Sequence, residues 1–223
     1  DPALHQPQAV IYGGHDVRVC GLGELGVARW LLGHPGEALA HVGEAMRNAE
    51  AMSHVGSRAH AMDYALVLHK FRRDAHAVAT QAHELVGYAD QQKLRDHHAK
   101  GRFFRGWARA ILEDAARGLR EMNEAMAAFQ DVGTPEDVSV YHEMVAEVCA
   151  RLGQHDQGLR AIEEAFEQTK RCGILFWSAE LHRRRGLLLA ASGESGALVD
   201  ACFGEALDCA RAQGALSLEL RAA

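Results

Sequence analysis

An all-α solenoid of about five helical hairpins is the fold class that this sequence predicts, and three observations predict it. First, the tripeptide Glu44-Ala45-Met46 returns as Glu84-Leu85-Val86, Glu124-Ala125-Met126, Glu164-Ala165-Phe166 and Glu205-Ala206-Leu207, a spacing of about forty residues. Second, an apolar residue (Val42, Ala82, Met122, Ile162, Phe203) lies two positions before each of these glutamates. Third, no stretch alternates polar and apolar residues with the period of a strand, and no proline falls inside a predicted helix. A unit of this length cannot bury its apolar face alone, so successive units must stack.

Residues 1–16 contain two of the four prolines and Gly13-Gly14, and read as an irregular lead-in. Asp16 is placed to cap the helix that follows. Residues 17–223 are expected to form a single solenoid. Its repeats span about 17–53, 57–93, 94–133, 134–173 and 174–214, and residues 215–223 read as the start of a further helix without a partner. In the first repeat a helix ends at Gly33-His34-Pro35-Gly36, where glycine and proline make continuation costly. The second repeat turns at Arg72-Arg73-Asp74, and the third pairs helices near 94–112 and 116–131. The fourth opens on Thr134-Pro135-Glu136-Asp137, which offers a hydroxyl cap, a proline at the first helical position and two acids where the helix dipole favours them. Its apolar residues Tyr141, Met144, Val145, Val148, Cys149 and Leu152 mark one buried face. The fifth repeat turns around Ser192-Gly193-Glu194-Ser195-Gly196.

Hydrophobic content of 48% supports a continuous core. The formal charge is −6, from 24 Lys+Arg against 30 Asp+Glu, and no basic block could neutralise a run of phosphates, so nucleic acid is not expected as a partner. Five cysteines without a CxxC suit reduced thiols in a cytoplasm. No apolar run approaches the ~20 residues of a membrane span, and the amino end lacks a signal-peptide pattern. The chain begins on Asp1 rather than Met and is expected to be a piece of a longer protein.

Aligned on their common period, the repeats place Gly26, Leu66, Gly106, Ala146 and Gly186 at one position of the first helix, and Ala38, Val78, Gly118, Gly158 and Leu198 about twelve residues later. This resembles the tetratricopeptide repeat, whose close helix crossings need small residues at those sites. The unit is longer than the ~34 residues of that repeat and lacks its closing proline, which is similar to the extended modules at the carboxyl end of bacterial signalling ATPases. More narrowly, Tyr12-Gly13-Gly14-His15-Asp16 through Cys20, Trp30-Leu31-Leu32-Gly33-His34-Pro35, Arg105-Gly106-Trp107-Ala108, Ala179-Glu180-Leu181-His182-Arg183 and Gln213-Gly214-Ala215-Leu216-Ser217-Leu218-Glu219-Leu220-Arg221 look like the tail of bacterial adenylate/guanylate cyclases that carry a central regulatory ATPase.

The resemblance implies a right-handed superhelix whose first helices line a concave groove. Carried over by register, the groove residues are His60, Asp63 and Lys70, then Lys100, Phe103 and Trp107, then Glu143 and Glu147, and finally Glu180 and Arg183. Phe103 and Trp107 would be aromatic anchors inside a charged rim, or else packed between hairpins. The function implied is a non-catalytic interaction and regulatory module of a signal-transduction protein, holding a peptide, a helix or another domain of the same chain. The alternative is a small-molecule sensor controlling an upstream cyclase or ATPase.

Five other constellations have bland readings that outweigh the sharp ones. Gly21-Leu22-Gly23-Glu24-Leu25-Gly26 matches a dinucleotide fingerprint, but no βαβ unit surrounds it. Fourteen histidines include His97-His98 and His69, His76 and His83 at sevens, without zinc-ligand spacing, so no metal is expected. His15, Asp16 and Cys20 form no convincing catalytic trio, and neither catalytic residues nor a cofactor are expected. The recurring glutamate is expected to pair with basic neighbours on the outer face or to reach the adjacent hairpin, and Arg183-Arg184-Arg185 reads as a solvated helix face.

Overall fold

The computed structural model describes residues 14–129 and 137–223, and among them every regular element is helical. Five hairpins pair α1 (Val17–Leu31) with α2 (Pro35–Met52), α3 (Val55–Phe71) with α4 (Ala75–Gln92), α5 (Arg95–Leu112) with α6 (Ala115–Phe129), α7 (Val138–Arg151) with α8 (His155–Cys172), and α9 (Ser178–Ala191) with α10 (Gly196–Ala212). A short α11 (Leu216–Ala222) follows. The first helix of each hairpin touches the first helix of the next, and the second helices lie outside. The inner row α3, α5, α7 and α9 therefore buries polar as well as apolar residues, while the outer helices bury one stripe each.

Local chemistry sets the helix ends. Asp16 caps α1, its carboxylate accepting from the backbone N–H groups of Arg18 and Val19. Asp74 caps α4 by accepting from the Ala77 N–H. Gly173 closes α8 with φ 71°, a left-handed conformation that glycine adopts without a Cβ penalty. The Thr134-Pro135-Glu136 start lies outside the described residues, and α7 is described from Val138.

In the third hairpin the small positions are sites of backbone contact. A Cβ on Gly118 would lie 2.5 Å from the Gly106 carbonyl oxygen and 2.6 Å from the Ala110 nitrogen, and one on Gly106 would lie 3.0 Å from the Gly118 oxygen. The pair therefore lets α5 and α6 cross closely. In the second hairpin, where Leu66 and Val78 occupy the equivalent sites, both side chains are fully buried between helices that run together less closely. Gly118→Ala is accordingly expected to destabilise by about 1–3 kcal/mol through overpacking, despite the helix propensity gained. Gly87→Ala, in the exposed middle of α4 with nothing within 4 Å of the new methyl, is expected to stabilise by roughly 0.5–1 kcal/mol. Urea unfolding of the two variants checks the opposite signs.

The recurring glutamate ties four of the hairpins together, while Glu84 in the second accepts from Gln81 on its own helix. Glu124 accepts from Arg102 at 2.8 Å, Glu164 lies 3.2 Å from His142, and Glu205 lies 2.8 Å from His182. In the first hairpin Glu44 accepts from Arg18 at 2.9 Å. These pairs are partly solvated, so each contributes a few tenths of a kcal/mol at most and helps mainly by fixing register.

The last helix is not an unpartnered stub, and here the structure corrects the sequence reading. Leu218 is buried, Ser217 Oγ donates to the Trp30 carbonyl at 2.5 Å, and the Arg221 guanidinium lies 4.8 Å above the Trp30 ring while donating to the Phe71 carbonyl. Trp177, between the fourth and fifth hairpins, stacks on Phe71 at 4.1 Å and lies 6.5 Å from Trp30. The array thus curves until its carboxyl end meets its first two hairpins. Apolar residues along an inner row provide the driving force, because curvature removes both ends of that row from water.

Candidate functional site

That curvature decides the fate of the ten inner residues. All of them except His60 are buried. Phe103 and Trp107 do not stand open to solvent: Phe103 packs 4.9 Å from the Tyr141 ring, and the Trp107 indole N–H donates to Glu147 at 3.0 Å. The packed reading of these two aromatics is the one observed.

The structure brings the other nine, all but Phe103, into two polar clusters. In the first, Lys70 on α3 donates to Glu143 on α7, and Arg184 on α9 grips the other oxygen of Glu143 at 2.7–2.8 Å. Arg184 also reaches Glu147 at 3.2 Å, and so does Arg73 from the turn after α3. Beside this network Arg183 makes a two-pronged pair with Glu180 at 2.7 and 2.8 Å, and Arg221 approaches the same carboxylate at 3.5 Å. Lys70 also lies 4.9 Å above the Trp177 ring. Burial pushes the Glu143 carboxyl up, but Lys70 and Arg184 outweigh it and hold it well below the usual carboxylate range. Glu147 is likewise lowered: burial raises it, and Arg184 above all brings it down.

Lys70, Arg73, Trp107, Glu147, Glu180, Arg184 and Arg221 line a crevice with room for about one water molecule. Its charges do not balance. Lys70, Arg73, Arg183, Arg184 and Arg221 face Glu143, Glu147 and Glu180, a surplus of two positive charges in a chain whose net charge is −6. Arg73, with 54% of its side chain exposed, carries that surplus to the rim.

The second cluster joins α3 to α5. Asp63 accepts from Lys100 at 3.3 Å and lies 3.5 Å from His97 Nε2. His60 stacks on His15 at 3.8 Å, and burial foremost, with His15 second, pushes its pKa down to about 4, so it is neutral at physiological pH.

Sequence reasoning missed Arg184, Arg73, Arg221 and His97. Arg184 had a signal: three consecutive helical residues fan over about 200°, so Arg183-Arg184-Arg185 on an inner helix cannot all face water. Arg185 reaches Glu163 at the surface, whereas Arg183 and Arg184 turn inward, which corrects the reading of a solvated face. Nothing local pointed to Arg73 or Arg221, whose partners lie in distant hairpins. The Gly21–Gly26 fingerprint lies inside α1, where a Cβ on Gly23 would run into the Tyr64 ring and one on Gly26 would lie 2.6 Å from Val42. Gly23 and Gly26 serve helix packing, whereas Gly21 is exposed with nothing within 4 Å of a Cβ there.

Fold and inner face together define a tetratricopeptide-like helical-repeat solenoid whose inner surface is charged. No family model matches the chain. R02095, an uncharacterized protein of Rhizobium meliloti (strain 1021), is 29% identical over 211 residues, which cover 95% of this chain. The chain spans about a fifth of that relative's length. Among solved structures, the crystal structure of Bacillus thuringiensis PlcR in complex with the peptide PapR7 and DNA has a similar fold, with a TM-score of 0.74 and 11% identity over 92% of this chain and 74% of that one.

Proposed function

We propose that this chain is a non-catalytic interaction and regulatory module of a bacterial signal-transduction protein, and that its inner face holds a peptide, a helix or another domain of the same polypeptide. The observation that carries the reading is the cationic crevice, whose surplus ends on the exposed guanidinium of Arg73. Carboxylates of an acidic segment answer that surplus, and a planar guanidinium grips them with two donors. Asp63, Lys70, Lys100, Phe103, Trp107, Glu143, Glu147, Glu180 and Arg183 shape the face from beneath, with His60 beside them, while Arg73 and the crevice rim make the contact.

The fold likeness to PlcR, whose structure includes a bound peptide, supports a peptide-type partner, and the net charge of −6 argues for protein over nucleic acid. The share of R02095 that the chain spans suits a module within a longer protein. Its resemblance to cyclase tails makes an upstream nucleotide cyclase or ATPase the unit it would regulate, by preferring one of that unit's states. The free thiols of Cys20, Cys149, Cys202 and Cys209 favour a reducing compartment, the cytoplasm. Among the described residues no helix is long and apolar enough to cross a membrane. A small-molecule sensor is the weaker reading, because the crevice beside Trp107 holds about one water rather than a metabolite.

Selection of a random peptide library on the immobilised protein tests the proposal. Acidic peptides are expected to be enriched, and Arg73→Glu is expected to weaken the best of them at least ~10-fold, the effect of placing like charges together in a site. Arg47→Glu, on outer helix α2, should leave their affinity unchanged. Enrichment without acidic character, or affinity indifferent to Arg73, would remove the crevice from the proposal.

A further inference from the structure

The polar cluster between α3 and α5 has features that ion pairing within the chain does not explain. His60 Nε2, Asp63 Oδ1 and Asp96 Oδ1 are buried, and none has a hydrogen-bond partner. Orphaned buried acceptors and donors are rare in native structures and call for a reason. His60, Asp63 and His97 each offer a potential ligand atom, and the three atoms lie within 4.8 Å of one another.

We propose that His60, Asp63 and His97 form a binding site for one divalent transition-metal ion of the zinc type. Two imidazoles and a carboxylate are a ligand set that zinc accepts, with a fourth position left for water or a partner's side chain. A divalent cation there gives His60 Nε2 and Asp63 Oδ1 the partner that neither finds among the described residues. Lys100 holds the other oxygen, Asp63 Oδ2, at 3.3 Å, and so orients the carboxylate as the outer partners of metal sites commonly do. The ligands come from consecutive inner helices, so the ion would clamp the second hairpin to the third. The second hairpin carries bulky residues, Leu66 and Val78, at both of the small positions.

A neighbouring triad, His15, Cys20 and His60, shares His60, and its ligand atoms also lie within 4.8 Å of one another. Cys20 already contacts the Tyr64 hydroxyl at 3.8 Å, and burial raises its thiol, which disfavours the thiolate that a metal needs. The test separates the two triads. Protein freed of metal by dialysis against EDTA is titrated with cobalt(II), followed by visible absorption, and with zinc in competition with a chromophoric chelator.

The expected result is one zinc per chain with Kd below ~10 μM, and visible cobalt bands without a thiolate charge-transfer band in the near ultraviolet. His97→Ala and Asp63→Asn should each weaken zinc at least ~10-fold and abolish the rise in Tm that zinc gives the wild type. His83→Ala, exposed on α4, should change neither. His97 is partly solvated, so its variant is expected to keep the wild-type circular dichroism, and Asp63→Asn provides a second reading on the same ligand set. Absence of stoichiometric zinc, unchanged affinity in both ligand variants, or a thiolate charge-transfer band lost in Cys20→Ser would each overturn the assignment.

Discussion

Glu143→Gln is expected to lower stability by about 3–5 kcal/mol, the loss found when one partner of a buried ion network is removed and the other charges stay behind. Glu143 is fully buried and is held by both Lys70 and Arg184, from hairpins on either side of its own. The amide keeps the shape of the side chain but strands two cations in a poorly solvated interior. Glu44→Gln, which touches only the exposed pair with Arg18, is expected to change stability by no more than ~0.5 kcal/mol. Urea unfolding at neutral pH checks the contrast.

The same residue sets the acid limb. The folded protein holds the Glu143 and Glu147 carboxyls below their ordinary values, so the unfolded chain binds more protons wherever those groups titrate. Their contribution is fully present above the unfolded carboxyl value of about 4.3 and drains away as pH falls below it. Plotted against pH, the melting temperature of the wild type should drop steeply below about pH 5, and that of Glu143→Gln should start lower and fall less.

Trp177→Ala is the second large effect. Trp177 is 1% exposed and packs against Phe71, Trp30 and Phe176, with Lys70 above its ring. Truncation leaves a cavity at the seam where the fifth hairpin meets the first two, and should cost about 3–5 kcal/mol. For a chain of this size that lowers Tm by on the order of 10 °C. Trp177→Phe should cost less than half as much, because it keeps an aromatic surface and removes an indole N–H that has no partner. An open solenoid can fray from either end, since each repeat contacts only its neighbours. The wild type, with its ends in contact, should unfold in one transition seen alike by circular dichroism and tryptophan fluorescence. In Trp177→Ala the two probes should separate. Coincident transitions in that variant would mean that the seam does not couple the ends.

The helical class, the hairpin repeat and the sites of close crossing were legible in the sequence because each rests on short-range physics. Asp16 caps whatever helix follows it, Gly106 and Gly118 permit an approach that larger residues forbid, and the spacing of Tyr141, Met144 and Val148 marks one face whatever lies against it. The register also placed the ten inner residues on the inner helices. Whether those residues face water was not legible, because exposure depends on how far the stack curves. Curvature sums small rotations over five hairpins, and no local pattern encodes the sum.

Tertiary structure alone decided that α11 meets α1, that Arg221 sits over Trp30, that Arg184 turns inward to Glu143, and that His60 and His97 come together across two hairpins. A sequence fixes what a residue can do within one helix turn and one hairpin. Electrostatic and metal-ligand partners are chosen by distance in space, and in a closed array the partner charge can lie two hairpins away along the chain, as Glu143 does from Lys70 and Glu147 from Arg73.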